Sequence, residues 1–291
     1  MSVYPSAGPI FDTHAHYSSG AFNADRCAVL DGLPAQGVVG VCEQATHSGD
    51  APRCLELAHR YPWVWAAVGI HPESLLPADR CGSAPPAPTV SVYGGDWAAE
   101  MRALAPYYDD PKVVAVGECG LDYHWPVPKD AQLALFEAEI RLALELDKPI
   151  VVHDREAHAD VYALLKKYKP RGILHCYSGS AEDAVWLARQ GILLGFGGAC
   201  TFKGAKRAGR AIDALPLESI LLETDCPYMA PEPLRGRRCD SSMIAYVGEY
   251  IAQRKGVPAE TVFAQTAANA RRVFGLQSTL TRGPSKAGRR R

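Results

Sequence analysis

The stretch Ile10-Phe11-Asp12-Thr13-His14-Ala15-His16 is the first of five short apolar runs that each end in histidine or a carboxylate. The other four occupy residues 113–118, 150–153, 172–175 and 220–225. Apolar runs of this length are typical of parallel strands that are covered on both faces. In a (β/α)₈ barrel, the carboxyl ends of such strands form the face that carries active sites. The five runs therefore predict a barrel whose rim collects metal-type ligands.

Helical segments alternate with the predicted strands along the chain. Eight strands are predicted, at residues 10–16, 38–42, 63–70, 113–118, 150–153, 172–175, 192–196 and 220–225. Helices are predicted at residues 22–36, 52–61, 96–107, 129–146, 157–168, 181–190, 206–215, 243–255 and 259–274. Alternation of this kind predicts a parallel sheet, and eight strands favour closure. We therefore predict one α/β domain over residues 8–276, a TIM (β/α)₈ barrel with two extra C-terminal helices that cover its side or bottom.

Two segments depart from this regular alternation. Residues 77–95 are rich in Pro, Gly and Ser, a composition that marks a long loop inserted into the barrel. This insertion either hangs over the ligand-bearing rim or has no function. Residues 277–291 are basic and contain Gly and Pro, so we expect a disordered tail.

The bulk composition limits the possible classes of protein. The chain has 291 residues, of which 47% are hydrophobic and 22% charged, as in soluble globular enzymes. Its net charge of -1 argues against coating of nucleic acid by bulk electrostatics. No apolar run approaches the roughly 18 residues of a membrane span, and the first residues have no signal-peptide pattern. Nine cysteines without a CxxC pair argue against a disulfide framework. We expect a cytoplasmic protein with no membrane attachment and no required protein partner.

Convergence of several residues, rather than any one of them, predicts a metal site. His14 and His16 are two apart on a strand, so both side chains point to one face. Such a pair alone is more often two rim histidines bonded to the backbone. A buried carboxylate, however, is tolerated when it is paired or binds metal. The candidate ligands that meet at one rim are His14, His16, Glu118, His153, His175 and Asp225.

The number of candidate ligands favours two metal ions. A single open catalytic zinc usually takes three protein ligands, and six are available here. In one division, His14, His16 and Asp225 hold one ion, His153 and His175 hold the other, and Glu118 bridges them. Imidazole and carboxylate without thiolate suit Zn, Mn or Fe, and suit Mg less well. Glu223 shares the face of Asp225, where it would either orient a ligand or pair with an interior charge.

Seven motifs in this chain resemble those of the TatD-type metal-dependent deoxyribonucleases, within the amidohydrolase-like hydrolases. They occupy residues 11–16, 69–73, 116–123, 151–157, 175–179, 201–203 and 222–228, and the resemblance runs from about residue 10 to residue 276. It implies a TIM barrel and the same six two-metal ligands. It also implies that His71 and Arg155 contact phosphate or substrate. The insertion at residues 77–95 is longer than the family usually shows.

The expected function is hydrolysis of phosphodiester bonds in DNA, or in RNA, by a hydroxide bound to metal. Asp225 and Glu118 are the predicted catalytic residues, with Asp225 positioning the nucleophile or accepting its proton. The cations near the rim are local, so we expect action on the ends of single strands. One alternative is an amide, lactone or ester hydrolase of the wider superfamily. The other is a barrel that binds metal or a partner without turnover.

Overall fold

Eight parallel strands and the helices between them make up the described part of the chain. The computed structural model describes residues 6–76 and 93–276. The strands are β1 (Ile10–Ala15), β2 (Val38–Gln44), β3 (Val64–Val68), β4 (Val113–Asp122), β5 (Ile150–Arg155), β6 (Gly172–Leu174), β7 (Ile192–Phe196) and β8 (Ile220–Leu222). The α-helices are α1 (Arg26–Gly32), α2 (Ala51–Arg60), α3 (Trp97–Leu104), α4 (Lys129–Glu145), α5 (His158–Tyr168), α6 (Ala181–Arg189), α7 (Lys206–Ala214), α8 (Ile244–Lys255) and α9 (Ala259–Val273).

The strands follow one another around a barrel in the order of the sequence. Each strand from β1 to β8 pairs in parallel with the next. The seam between the first and last strands is closed by the segment after β8, where Ala15 bridges Cys226. Across this seam, Asp225 N donates to His14 O at 2.9 Å, and His16 N donates to Cys226 O at 2.9 Å. The predicted (β/α)₈ barrel is therefore confirmed.

Aliphatic and aromatic side chains fill the barrel interior, and helix α9 covers its lower end. Strand residues such as Phe11, Ala67 and Ile173 form one buried cluster with Phe274, which follows α9. Phe11 stacks on Phe274 with a centroid distance of 6.1 Å. A second, larger cluster lies between the strands and the outer helices. The prediction that a C-terminal helix covers the bottom is thus correct for α9.

The strand ends differ from the predicted ones at several ligands. Glu118 does not end its strand, because β4 continues to Asp122 and residues 120–122 pair in register with residues 153–155. At the other extreme, β8 stops at Leu222, three residues before Asp225. Asp225 has a φ of 60°, which lies outside the strand region, and its N–H bonds to β1 instead.

The helix predicted at residues 22–36 is also wrong in detail. The structure divides it into a 3₁₀ turn at Gly20–Phe22, helix α1, and a second 3₁₀ turn at Pro34–Gln36. Proline lacks an N–H and clashes with the preceding turn, so α1 ends just before Pro34.

Most of the insertion at residues 77–95 and the whole tail at 277–291 lie outside the described residues. The domain limits of 8–276 stay a prediction.

Candidate metal centre

Six side chains from five places on the barrel meet at the rim where the strands end. His14 and His16 come from β1 and the residue after it, and Glu118 and His153 come from β4 and β5. His175 directly follows β6, and Asp225 lies in the segment that closes the seam. The structure therefore brings together all six residues predicted as ligands.

Four donor atoms form a first group at the seam. His14 Nε2 lies 3.2 Å from His16 Nε2 and 3.3 Å from Glu118 Oε2. His16 Nε2 lies 3.4 Å from Glu118 Oε2 and 3.2 Å from Asp225 Oδ1. His14 Nε2 is 3.8 Å from the same Asp225 oxygen.

Three donor atoms form a second group around the other oxygen of Glu118. His153 Nδ1 lies 3.1 Å from Glu118 Oε1, and His175 Nε2 lies 3.0 Å from it. The two imidazole nitrogens are 3.2 Å apart. Glu118 thus turns one oxygen to each group, as a bridging carboxylate would.

The spacing within both groups fits divalent ions. Zinc–nitrogen and zinc–oxygen bonds of 2.0–2.1 Å arranged as a tetrahedron put neighbouring donors about 3.4 Å apart. The distances in the two groups lie between 3.0 and 3.8 Å. Imidazole nitrogens and carboxylate oxygens are also the donors that Zn, Mn and Fe accept. The residues present therefore fit two cations.

Asp122 orients His153, a role that our sequence reasoning missed. Asp122 Oδ2 lies 3.0 Å from His153 Nε2, so this nitrogen donates to the carboxylate and Nδ1 faces Glu118. Asp122 is fully buried, and its own N–H donates to Gln132 Oε1 at 2.8 Å. A carboxylate behind a histidine fixes the tautomer and raises the basicity of the inner nitrogen. The available signal was the spacing, since Asp122 follows Glu118 by four residues on one strand face.

A second missed residue, Asp12, holds the two sides of the seam together. Its Oδ1 accepts the N–H groups of His14 and Thr224 at 3.2 and 3.0 Å. Its Oδ2 accepts the hydroxyls of Thr224 and Ser241, both at 2.7 Å. Burial is the main reason that the pKa of Asp12 rises to about 6, although these hydrogen bonds oppose the rise. Asp12 therefore fixes the backbone on which His14 and Asp225 stand.

Glu223 lies behind His175 at a longer distance. Its Oε1 accepts the N–H of Cys176 at 2.5 Å and lies 3.8 Å from His175 Nδ1. That separation is too long for a direct hydrogen bond. Burial raises the pKa of Glu223 to about 8, although the charge of His175 opposes this. The two roles predicted for Glu223 from the sequence stay predictions.

His71 competes with His175 for a place in the second group. His71 Nε2 is 3.6 Å from Glu118 Oε1, and His71, Glu118 and His153 could hold an ion by distance alone. However, His71 Nδ1 accepts the N–H of Glu73 at 3.2 Å. The proton of a neutral ring must then sit on Nε2, which makes that atom a donor rather than a ligand. The hydrogen bonding therefore favours His175 as the ligand and His71 as a donor facing the site.

The carboxylates of the site attract positive charge. Burial disfavours the charged form of His16, yet its hydrogen bond to Asp225 and the charge of Glu118 raise its pKa to about 10. His153 behaves alike, because Asp122 and Glu118 raise its pKa to about 10 against the effect of burial. In contrast, burial and the neighbouring His175 lower the pKa of His14 to about 4. A bound cation would replace these protons, so metal binding should release them.

Cys119, Cys176 and Cys226 each directly follow a proposed ligand, and the strand period of two predicts that they face away from the metals. Cys119 and Cys226 are buried, and Cys119 Sγ donates to Val151 O at 3.4 Å. Cys176 is different, because it is half-buried and lines a cavity beside Ser178. It lies after the end of β6 with a φ of 47°, so the strand period of two does not apply to it. Every cysteine within residues 6–76 and 93–276 is free.

Fold and site together define the class of protein: a metal-dependent hydrolase built on a (β/α)₈ barrel. A family model described as TatD related DNase matches residues 11–275. The chain belongs to this family, as its motifs predicted. In the described part of the chain, no helix is long and apolar enough to cross a membrane.

Individual relatives agree with this assignment. An uncharacterized metal-dependent hydrolase, YabD of Bacillus subtilis strain 168, is 35% identical over 92% of this chain and 99% of its own length. The 3'-5' ssDNA/RNA exonuclease TatD of Erwinia tasmaniensis is 30% identical, covering 92% of this chain and 100% of its own. The crystal structure of YJJV, a TatD homolog from Escherichia coli K12, superposes with a TM-score of 0.81 at 28% identity, over 92% of this chain and 98% of that one.

Proposed function

We propose that this protein is a two-metal exonuclease that hydrolyses phosphodiester bonds at the ends of single-stranded DNA, with RNA as a second substrate. The observation that carries the proposal is the orientation of the Glu118 carboxylate, whose two oxygens each face a separate group of histidine nitrogens. Relatives of similar length that carry the name of a single-strand exonuclease support the substrate. The predicted location in the cytoplasm stays a prediction.

The distances between donor atoms suggest how the proposed ligands divide between the two ions. His14, His16 and Asp225 would hold one ion, His153 and His175 the other, and Glu118 both. Zn, Mn and Fe suit this donor set better than Mg. When bound, such a pair of ions lowers the pKa of a water molecule and neutralises charge on a phosphoryl group.

The side chains around the ions would handle the proton and the substrate. Asp225 is the proposed proton acceptor, since it borders the site and only one of its oxygens faces His16. His71 presents its Nε2–H toward the site, where it would donate to a phosphate oxygen. Arg155 stands two residues beyond His153 on the same strand face and would balance the remaining phosphate charge.

Metal removal and a single substitution test the bridging site. Glu118→Gln keeps the size of the side chain but leaves one oxygen and one amide in place of two ligating oxygens. We expect loss of one bound ion and at least a hundredfold loss of kcat for a phosphodiester reporter, with the barrel still folded. Bound metal is counted by elemental analysis after chelation and reloading. Near-normal turnover with two ions bound would refute the bridging role.

The shape of the substrate is tested separately from the metal site. A linear single strand of DNA and a covalently closed circle of the same sequence are incubated with the metal-loaded protein. We expect cleavage of the linear strand alone, because an end-directed enzyme needs a terminus. Equal cleavage of circles would refute the end-directed proposal. Failure to cleave DNA and RNA with any of several metals would instead favour the alternative of amide, lactone or ester hydrolysis.

A further inference from the structure

A cavity of about 700 Å³ is lined by residues at or just beyond the carboxyl ends of β4, β5 and β6. Its wall includes Arg155, two residues beyond His153, and Ser178, three residues beyond His175. Lys129 and Arg207 enter from the starts of α4 and α7. The cavity therefore lies on the same rim of the barrel as the proposed metal site.

The cations of this cavity lack carboxylate partners, whereas its acidic residues are already engaged. Within residues 6–76 and 93–276, neither Arg155 nor Arg207 forms an ion pair, and the Lys129 ammonium lies 3.9 Å from the centre of the Tyr123 ring. On the same wall, Glu156 pairs with His124 at 3.0 Å, and Asp160 accepts the Tyr123 hydroxyl at 2.6 Å. Three positive groups thus line one space without forming an ion pair to any described residue, and the two carboxylates of the same wall have other hydrogen-bond partners.

The backbone adds donors to the same wall. Helix α5 begins there with Ala157 as its N-cap, and no side chain caps its first turn. The first N–H groups of a helix have no partner within the helix and favour an anion. Arginine, for its part, presents several donors in a plane that matches phosphate oxygens.

We infer that this cavity binds a second phosphate of the nucleic acid, one removed from the bond that is cut. The inference rests on the proposed function, and it extends that function from a single phosphodiester to a strand with at least two phosphates. Arg155 lines the cavity and stands two residues beyond the proposed ligand His153 on the same strand, so it connects the cavity to the proposed metal site. The second phosphate is either an internal phosphodiester or a terminal phosphate.

A substrate series with a matched pair of variants measures the second phosphate. The substrates are a dinucleoside monophosphate, the same compound with an added 5'-phosphate or 3'-phosphate, and a trinucleotide. We expect kcat/KM of the wild-type protein to be about tenfold higher for at least one substrate with two phosphates than for the substrate with one. A partly exposed hydrogen bond between a charged side chain and a phosphate would give a difference of this size. The arm that shows the rise identifies the source of the phosphate.

Arg207→Ala should bring the ratio of kcat/KM between two-phosphate and one-phosphate substrates close to one. Arg210→Ala removes the same charge from the same helix outside the cavity wall, so it should keep the wild-type ratio. A wild-type protein that gains nothing from a second phosphate in any arm would overturn the inference. So would an equal loss of the ratio in both variants.

Binding without turnover separates this inference from the proposed function. A trinucleotide is titrated into the protein in the presence of chelator, at several salt concentrations. The slope of log Kd against log salt should fall by roughly 0.7 in Arg207→Ala, the value for one lost phosphate contact on a single strand, and should stay unchanged in Arg210→Ala. An unchanged slope in Arg207→Ala would refute the cavity, whether or not the metal-loaded protein cleaves DNA. A changed slope without any cleavage would refute only the proposed exonuclease activity.

Discussion

The outer hydrogen-bond partners of the histidines decide which nitrogen faces the metal site. Asp122 takes the Nε2–H of His153 and leaves Nδ1 for an ion, whereas the N–H of Glu73 occupies Nδ1 of His71. The sequence predicted His153 as a ligand at the rim, and the family resemblance implied a substrate contact for His71, but neither could assign the ring nitrogens. That assignment depends on a carboxylate on a neighbouring strand and on a local turn, and neither leaves a mark in the spacing of the histidines themselves.

Asp122→Asn tests this control at the scale of one residue. An amide is a weaker acceptor for the His153 N–H, so the ring loses both orientation and basicity. We expect the ion held by His153 and His175 to bind 10- to 100-fold more weakly, while the ion held by His14 and His16 binds as before. Metal titration by calorimetry separates the two sites.

Asp130→Asn is the control for this measurement, because Asp130 is an exposed carboxylate in the first turn of α4. It should leave both affinities unchanged. Equal weakening of both sites in Asp122→Asn would show that the substitution disturbs the rim as a whole. Unchanged binding at both sites would remove Asp122 from the metal centre.

At the scale of elements, the sequence predicted the number, order and type of strands but not where each strand ends. The apolar runs mark the covered part of a strand, and pairing with a neighbour can carry a strand further. β4 continues past Glu118 because Gly120, Leu121 and Asp122 pair with β5. β8 is shorter because the segment after Leu222 turns to bond with β1. These lengths depend on register between strands, which hydrophobicity alone does not encode.

The junction of β5 with α5 gives a pH-dependent prediction at this scale. His158 Nδ1 lies 2.7 Å from Asp154 Oδ2, and this hydrogen bond is the main reason that the pKa of His158 is raised above 6.5. The protonated pair stabilises the folded state below the unfolded pKa of about 6.5, and its contribution is lost as pH rises through the higher folded pKa. His158→Gln should therefore lower the free energy of unfolding more at pH 6 than at pH 9.

Urea unfolding at both pH values measures the difference between wild-type and His158→Gln proteins. Chelator is present throughout, so that protons released by metal binding do not contribute. The side chain of His158 is one-third exposed, so added salt should reduce the effect. The same loss of stability at pH 6 and pH 9 would contradict the assignment of a protonated pair.

At the scale of the whole molecule, one end of the barrel carries the proposed reaction site and the other end contributes to stability. The proposed ligands lie at the carboxyl rim, and α9 with Phe274 covers the opposite end. In such barrels, residues at the far end contribute to folding rather than to reaction. The sequence located both ends in outline, since ligands terminate the apolar runs and a helical stripe follows the last strand. The contact between Phe11 and Phe274 could not be predicted, because it joins residues from the two ends of the chain.

Phe274→Ala should destabilise the protein without changing its chemistry. Phe274 is 5% exposed, and its loss leaves a cavity beside Phe11. We expect a decrease of about 3 kcal/mol in the free energy of unfolding, with kcat per folded molecule unchanged. Leu144→Ala is the matched control, because Leu144 is 46% exposed and should change stability by less than about 0.5 kcal/mol. A loss of kcat in folded Phe274→Ala protein would show that the two ends of the barrel are coupled.

The seam that closes the barrel has a consequence for how the protein folds during its synthesis. The N–H of Thr224 donates to Asp12, 212 residues earlier in the chain, so the seam closes a long loop of the polypeptide. A cation shared by His14, His16 and Asp225 would connect the two sides of the seam as a reversible cross-link. Free metal would strengthen this cross-link, and a chelator would remove it. During synthesis, the cross-link cannot form until the ribosome has released residue 225. A partly made chain would therefore lack one of the six proposed ligands, so we expect activity to begin only after synthesis has passed residue 225 and the barrel can close.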